Sequence, residues 1–328
     1  MEDFRIGGAW THGWRFVAQG TMVHFLILVL IGIAAPLGLQ YALIGAPLDS
    51  GASPMTSGPA LMQMAGAPLV LLILALSHLL QAGSYFASLR FGFDAQRAPA
   101  GAVVYGLTAG LIATLVIAAG YLVAFFMGRA FMMPETVVLA IIFLALPLVV
   151  VYALFFISTA IMGAATIIVL LVFLFVYGLA TGYPELPLMA FGGSGLMVVV
   201  MLVLSYLLFW LAARFSCVMP LMAQRGDVNV FAAIRDSWRL TSDEQWRITR
   251  YLALIGFGVA LAVIGISLAV GASTGELMRG GTLGVEGGAG ELVLRFLFGI
   301  PIAFLAVMLP AGIYRQLVGE ETPVEIFA

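Results

Sequence analysis

The chain has 328 residues, of which 63% are hydrophobic and only 9% are charged, whereas soluble domains average about 45–50% apolar and about 25% charged residues. Apolar surface on that scale exceeds what one water-soluble core can hide, which excludes a soluble enzyme, a secreted disulfide scaffold and a disordered chain. The formal net charge of −2 leaves no bulk basic field for nucleic acid, so the composition is that of a polytopic membrane protein.

All 14 basic residues are arginine. Arginine codons are GC-rich, so this usage reads as the mark of a high-GC bacterial genome. Cys217, the single cysteine, can form neither an internal disulfide nor a multi-cysteine metal site. The start, Met1-Glu2-Asp3-Phe4-Arg5, is acidic where a signal peptide is basic, and the apolar run behind it is too long for a signal h-region. That run is therefore expected to be kept as the first membrane span.

A helix needs about 20 apolar residues to cross a hydrocarbon core of roughly 30 Å. No formally charged residue lies between Arg15 and Asp49, which places the first span at about 21–45. Residues 46–66 are rich in Gly, Pro and Ser and read as a loop. The next spans are expected at about 68–89, ending at Arg90, and about 102–127, between Arg97 and Arg129. Thr136 to Pro184 carries no charge; as one helix it would run about 73 Å, more than twice the core thickness. It must fold back near Ser158-Thr159 to Gly163-Ala164-Ala165, giving spans at about 136–157 and 164–182. Three more follow at about 194–213, 247–271 and 293–313, with kinks expected at Pro147, Pro301 and Pro310. The expected fold is all-α, a polytopic transmembrane bundle of about eight spans with short interfacial amphipathic helices.

Orientation follows from arginine placement. With the N-terminus inside, Arg5, Arg15, Arg90, Arg97, Arg214, Arg225, Arg235, Arg239, Arg247, Arg250 and Arg315 are cytoplasmic, and only Arg129, Arg279 and Arg295 face outward. Both termini are then cytoplasmic. The whole chain, 1–328, reads as one membrane-embedded domain. Within it, Ile6-Gly7-Gly8-Ala9-Trp10 echoes Ile234-Arg235-Asp236-Ser237-Trp238. Each is followed by a span, a Gly-rich loop, a second span and an arginine. The pattern is compatible with repeat units 1–90 and 228–315 flanking a four-span middle, 91–227, and equally with chance spacing.

The most informative stretch runs from Arg214 to Arg250. Asp227 or Asn229 can cap a short helix with Phe231, Ile234 and Trp238 on one face and Arg235, Asp236 and Arg239 on the other. Ser242-Asp243-Glu244-Gln245 fits a capping box with Ser242 at the cap. Trp246, Arg247 and Arg250 then occupy the first turns of the next span. The N-terminal segment repeats the theme with Ile6, Trp10, Trp14 and Val17. An apolar stripe with tryptophan, backed by arginine, lies flat in a headgroup layer. Trp10, Trp14, Arg235, Trp238, Arg239, Trp246, Arg247 and Arg250 are thus the candidate contacts to lipid or a protein partner. The plainer alternative is that these helices only anchor and cap their spans.

Arg214-Phe215, Pro220-Leu221, Val230-Phe231-Ala232-Ala233-Ile234-Arg235-Asp236-Ser237-Trp238-Arg239-Leu240-Thr241 and Trp246-Arg247 together resemble one group of bacterial membrane proteins. These carry the membrane domain found beside glycerophosphoryl diester phosphodiesterases. The likeness covers about forty residues well and the rest in outline. It implies the membrane part alone: in that family the phosphodiester chemistry belongs to a separate soluble barrel with acidic metal ligands, for which this chain has no room. No active-site residue is carried over.

Ionisable groups inside a bilayer are functional candidates because they are costly there. All sixteen Asp and Glu fall in loops or at span ends, Glu135, Glu185 and Glu291 outside and Asp94, Asp227, Asp236, Asp243 and Glu244 on the cytoplasmic side. An ion-coupled relay has no carrier. His78 is the ionisable group nearest a span centre, where it either bonds to a neighbouring helix through Ser77, Gln81 or Ser84 or contacts a haem or pigment. His24 sits too near a span end to pair with it, and His12 lies outside the core. Gly106-x-x-x-Gly110 permits close helix packing or a dimer seam. Gly192-Gly193-Ser194-Gly195 lacks the lysine and strand of a phosphate loop.

The expected function is that of a non-enzymatic bacterial inner-membrane protein, an accessory, scaffold or lipid-interacting component. Its partners would be membrane lipids and other proteins of a membrane complex, with no nucleic acid, no metal and no cofactor. Two alternatives stand beside it: a transporter or channel for a neutral or lipid-like solute, and a cofactor- or pigment-binding subunit acting through His78.

Overall fold

The computed structural model describes residues 4–44, 68–94, 98–130, 150, 154–157, 160–161, 164–169, 171–172, 175, 182, 195–274 and 289–319. Among the described residues all regular structure is helical and there is no strand. Helix α1 spans Ile6–Ala18. One helical path then begins with α2 (Thr21–Leu26), widens into a π-helical stretch (Ile27–Ala34) and ends in α3 (Ala35–Ile44). Next come α4 (Pro68–Phe93) and α5 (Pro99–Ala130). After them come α6 (Gly195–Phe215), α7 (Val218–Arg225), α8 (Val230–Leu240), α9 (Gln245–Thr274) and α10 (Ala289–Val318).

Among the described residues, four helical stretches are long and apolar enough to cross a membrane: Thr21–Leu39, Pro99–Gly120, Val198–Arg225 and Phe298–Val318. Each of the six spans expected at 21–45, 68–89, 102–127, 194–213, 247–271 and 293–313 falls on a helix. The expected spans 136–157 and 164–182, with Pro147, lie largely outside the described residues, as do loop 46–66 and Arg97, Glu135, Glu185 and Arg279. Pro68 and Pro99 each open a helix, where the missing N–H costs nothing and the fixed φ suits the first turn. Helix α10 runs on through Pro301 and Pro310, each of which removes one backbone N–H bond.

The chain divides into two compact units that interleave along the sequence. The second comprises Val17–Thr114 and Ala262–Val307. Within it, α4 and α5 pack closely. A Cβ added at Gly110 would lie 2.7 Å from the Gly83 nitrogen and 2.8 Å from the Leu79 carbonyl oxygen, and one added at Gly106 would lie 2.7 Å from the Ala87 nitrogen. The G-x-x-x-G pair therefore packs within the chain, backbone against backbone. On the other flank of α4, His24 and Ser88 are wholly buried, with His24 Nδ1 at 2.6 Å from Ser88 Oγ and the His24 ring edge-on to Phe91. His78 is half-buried on α4. Nearby, Ser84 Oγ donates to the Gln81 carbonyl at 2.7 Å and Gln81 Nε2 donates to Tyr85 Oη at 3.1 Å.

The first unit comprises Met1–Phe16, Leu115–Leu261 and Met308–Ala328. Here α1 lies against the end of α10, with Gly13 beside Met308 and a Cβ at Gly312 only 2.9 Å from the Gly13 nitrogen. The Arg315 guanidinium carbon stands 4.7 Å above the Phe16 ring. Phe4 meets Tyr251 edge-on at 6.0 Å between ring centres. Tyr314 of α10 donates its hydroxyl hydrogen to Gln224 Oε1 of α7.

Candidate functional site

The Arg214–Arg250 stretch folds into a compact corner within the first unit. Helix α6 ends at Phe215, turns at Ser216-Cys217 and restarts as α7. Every residue from Leu211 to Ala223 is buried. Helix α7 is therefore interior, and the apolar stretch that begins at Val198 extends to Arg225, beyond the span end expected at about 213. Gly226 stops α7 at φ +70° and donates its N–H to the Met222 carbonyl at 2.9 Å. That left-handed conformation suits glycine.

Asn229 caps α8, its Oδ1 accepting the Ala232 N–H at 3.1 Å; of the two candidate caps, Asn229 is the one used. The face of α8 that packs inward is Val230, Ala233 and Ser237, one residue out of phase with the apolar stripe. Phe231 stays 86% exposed and Trp238 38% exposed. Helix α1 behaves alike: Ile6, Trp10 and Trp14 are exposed. Val17, at the end of the same stripe, is buried. Trp246 is half-exposed and tilted against Tyr206 at 6.4 Å.

The capping box does not form. Ser242 Oγ donates instead to the Arg239 carbonyl at 2.8 Å, closing the end of α8, and α9 begins only at Gln245. A hydroxyl with a local carbonyl in reach serves the helix it has just left.

Of the candidate contacts, Arg235, Arg239, Arg247 and Arg250 are all exposed. Arg247 bonds Glu244 at 3.2 Å, and Arg235 Nε reaches Asp236 Oδ1 at 3.4 Å. Asp236 is bonded more closely by Arg225, at 2.8 Å, which ties the end of α7 to the middle of α8. The Arg225 hydrogen bond holds the Asp236 carboxyl below the usual carboxylate range, with desolvation opposing and Arg235 assisting. A depressed native pKa means stabilisation that is present above the ordinary Asp value of about 3.9 and is lost as pH falls through the native value. Both groups are partly exposed, so the effect is under about 1 kcal/mol. The melting temperature of Asp236→Asn is expected to fall less than that of the wild type on acidification below about pH 4; equal falls would refute the assignment.

Sequence reasoning named Trp238 as a candidate contact but gave Arg214, Ser237 and Trp210, at the centre of this corner, no role in a site. Arg214 is only 9% exposed. Its Nη1 donates to the Trp238 carbonyl at 3.3 Å, and its guanidinium carbon stands 4.8 Å from the Trp238 ring centre and 5.9 Å from that of Trp210. The two indoles meet edge-on at 5.4 Å. Ser237 Oγ, fully buried, donates to the Arg214 carbonyl at 2.7 Å and accepts the Cys217 N–H at 3.3 Å. Thr241 Oγ1 donates to the Ser237 carbonyl at 2.9 Å. The available signal was Trp210 and Arg214 at i and i+4 on the last turn of a span, positions that meet on one helix face.

Residues 190–283 match the family model for the membrane domain of glycerophosphoryl diester phosphodiesterase. The resemblance seen in the motif residues thus extends from α6 through α9. No curated protein and no solved structure matches the chain. The matched segment contains all of the Arg214 corner. Among the described residues no group of three or more His, Cys, Asp or Glu side chains could hold a metal ion.

Proposed function

We propose that this chain is a non-enzymatic integral protein of the bacterial inner membrane, an accessory or scaffold component that engages lipid. In this reading it has eight spans and leaves both termini in the cytoplasm. The observation that carries it is the pairing on α1, α8 and the start of α9: Trp10, Trp14, Phe231, Trp238 and Trp246 are exposed, with Arg235, Arg239, Arg247 and Arg250 exposed along the same segment. Indole rings settle at headgroup depth, and arginines there attract anionic headgroups by about 1 kcal/mol each, about fivefold in affinity. The match to a membrane domain supports the setting. The arginine asymmetry supports the orientation.

The test is the quadruple variant Arg235→Ala, Arg239→Ala, Arg247→Ala, Arg250→Ala, purified in mild detergent and analysed for co-purifying lipids and proteins. Enrichment of anionic phospholipid should drop, and in the wild type it should weaken as salt rises. Unchanged lipid and partner retention at low salt would refute the role.

A further inference from the structure

Among the described residues, the Arg214 corner holds a buried cation with no carboxylate beside it. Between Arg214 and Arg250 there are six arginines and four acidic residues. Asp236 is engaged by Arg225 and Arg235, and Glu244 by Arg247. Among the described residues no carboxylate pairs with Arg214, and its Nε is buried without a hydrogen-bond acceptor. The guanidinium is nevertheless held in one orientation. Ser237 fixes its main chain, the Trp238 carbonyl fixes one nitrogen, and two indole faces flank it. Burying a cation without a counter-ion is costly. A planar guanidinium with donors still available is suited to a phosphate oxyanion.

We infer that Arg214, set between Trp210 and Trp238, binds one phosphate oxyanion, and that the exposed apolar side chains Phe231 and Trp238 of α8 favour a phospholipid headgroup as its source. This rests on the lipid-engaging reading above and sharpens it. Exposed arginines make a diffuse, salt-sensitive layer, whereas a buried one selects a single molecule. Trp238 then has two roles, with its ring covering the cation and its exposed edge against an acyl chain. Free phosphate offers the same oxyanion without the chain, so the two sources can be told apart.

Native mass spectrometry of the full-length protein in mild detergent tests this with three additions: phosphatidylglycerol, phosphatidylcholine and inorganic phosphate. The expected result is one phosphatidylglycerol adduct that survives high salt, weakened by about tenfold or more in Arg214→Gln, as for loss of a charge-assisted hydrogen bond. Phosphatidylcholine also carries a phosphate and should bind more weakly. Retention of inorganic phosphate in place of lipid would keep the oxyanion site and replace its source. If no adduct forms in the wild type, or if a folded Arg214→Gln keeps it, the inference is overturned. Shielding of Cys217 from a thiol reagent reports whether the variant has folded. If it has not, the three wild-type additions still decide. The quadruple arginine variant separates the two readings, because it should lose the salt-sensitive layer and keep the single tight adduct. A salt-sensitive layer without any tight adduct would sink the Arg214 site alone.

Discussion

Gly110→Leu is expected to prevent α4 and α5 from packing and to abolish the yield of monodisperse protein. The atoms nearest the missing side chain are all main chain: the nitrogen and Cα of Gly83 at 2.7 and 2.8 Å, and the Leu79 carbonyl oxygen at 2.8 Å. A side-chain neighbour could swing aside, but a helix backbone cannot without moving the whole helix. Overfilling a packed core costs about 1–3 kcal/mol even where relaxation is available, so Gly110→Ala should already lower the unfolding midpoint and leucine should exceed what the helix pair tolerates. Gly258 is the control. A Cβ there meets nothing within 4 Å, so Gly258→Ala should be neutral or gain about 0.5–1 kcal/mol from helix propensity. Equal midpoints for Gly110→Leu and Gly258→Ala would remove the close crossing from the fold.

Ser237→Ala is the second large effect. The hydroxyl answers two buried main-chain groups, the Arg214 carbonyl and the Cys217 N–H, and alanine leaves both without this partner. The Arg214 carbonyl retains a long bond from Thr241 Oγ1 at 3.5 Å, and a buried polar group left unsatisfied costs about 1–3 kcal/mol. The damage should appear locally, as more frequent opening of α8 away from α6 and α7. Cys217 is fully buried in this corner and is the chain's single cysteine. Its labelling rate is therefore the measurement, and an increase of about tenfold or more follows from a loss of about 1.4 kcal/mol. Ser242→Ala, at an exposed position, should leave the rate alone. A rate unchanged in Ser237→Ala would show that the corner does not depend on this hydroxyl.

These two cases show what composition could and could not convey. The apolar runs were legible because a bilayer imposes a length on each of them, and six of the expected spans fall on helices, although Arg90, read as a boundary, lies inside a helix that runs on to Phe93. The glycine spacing at 106 and 110 announced close packing, but its partner, Gly83, could not be read, because contact between helices leaves no periodic trace. The tryptophan and arginine stripe was legible for the same reason as the spans, as a pattern of faces. The phase of α8 was not. Val230, Ala233 and Ser237 are small enough to pack tightly inward, and tight packing prevailed over the more apolar neighbouring face. Arg214 was missed because a charge at a span end looks like a boundary marker. Only the side chains of Trp210, Trp238 and Ser237, which come from two helices, show that it is enclosed.

The π-helical stretch Ile27–Ala34 gives the first span a property that its residue count conceals. As α-helix throughout, the path Thr21–Ile44 would rise about 36 Å, more than a typical hydrocarbon core of about 30 Å. A wider coil fits more residues into each turn and advances less with each one, so eight residues in that geometry bring the length closer to that thickness. A helix longer than the core has to lean over to hide its ends. The wider coil would then let this one stand more upright than its residue count suggests.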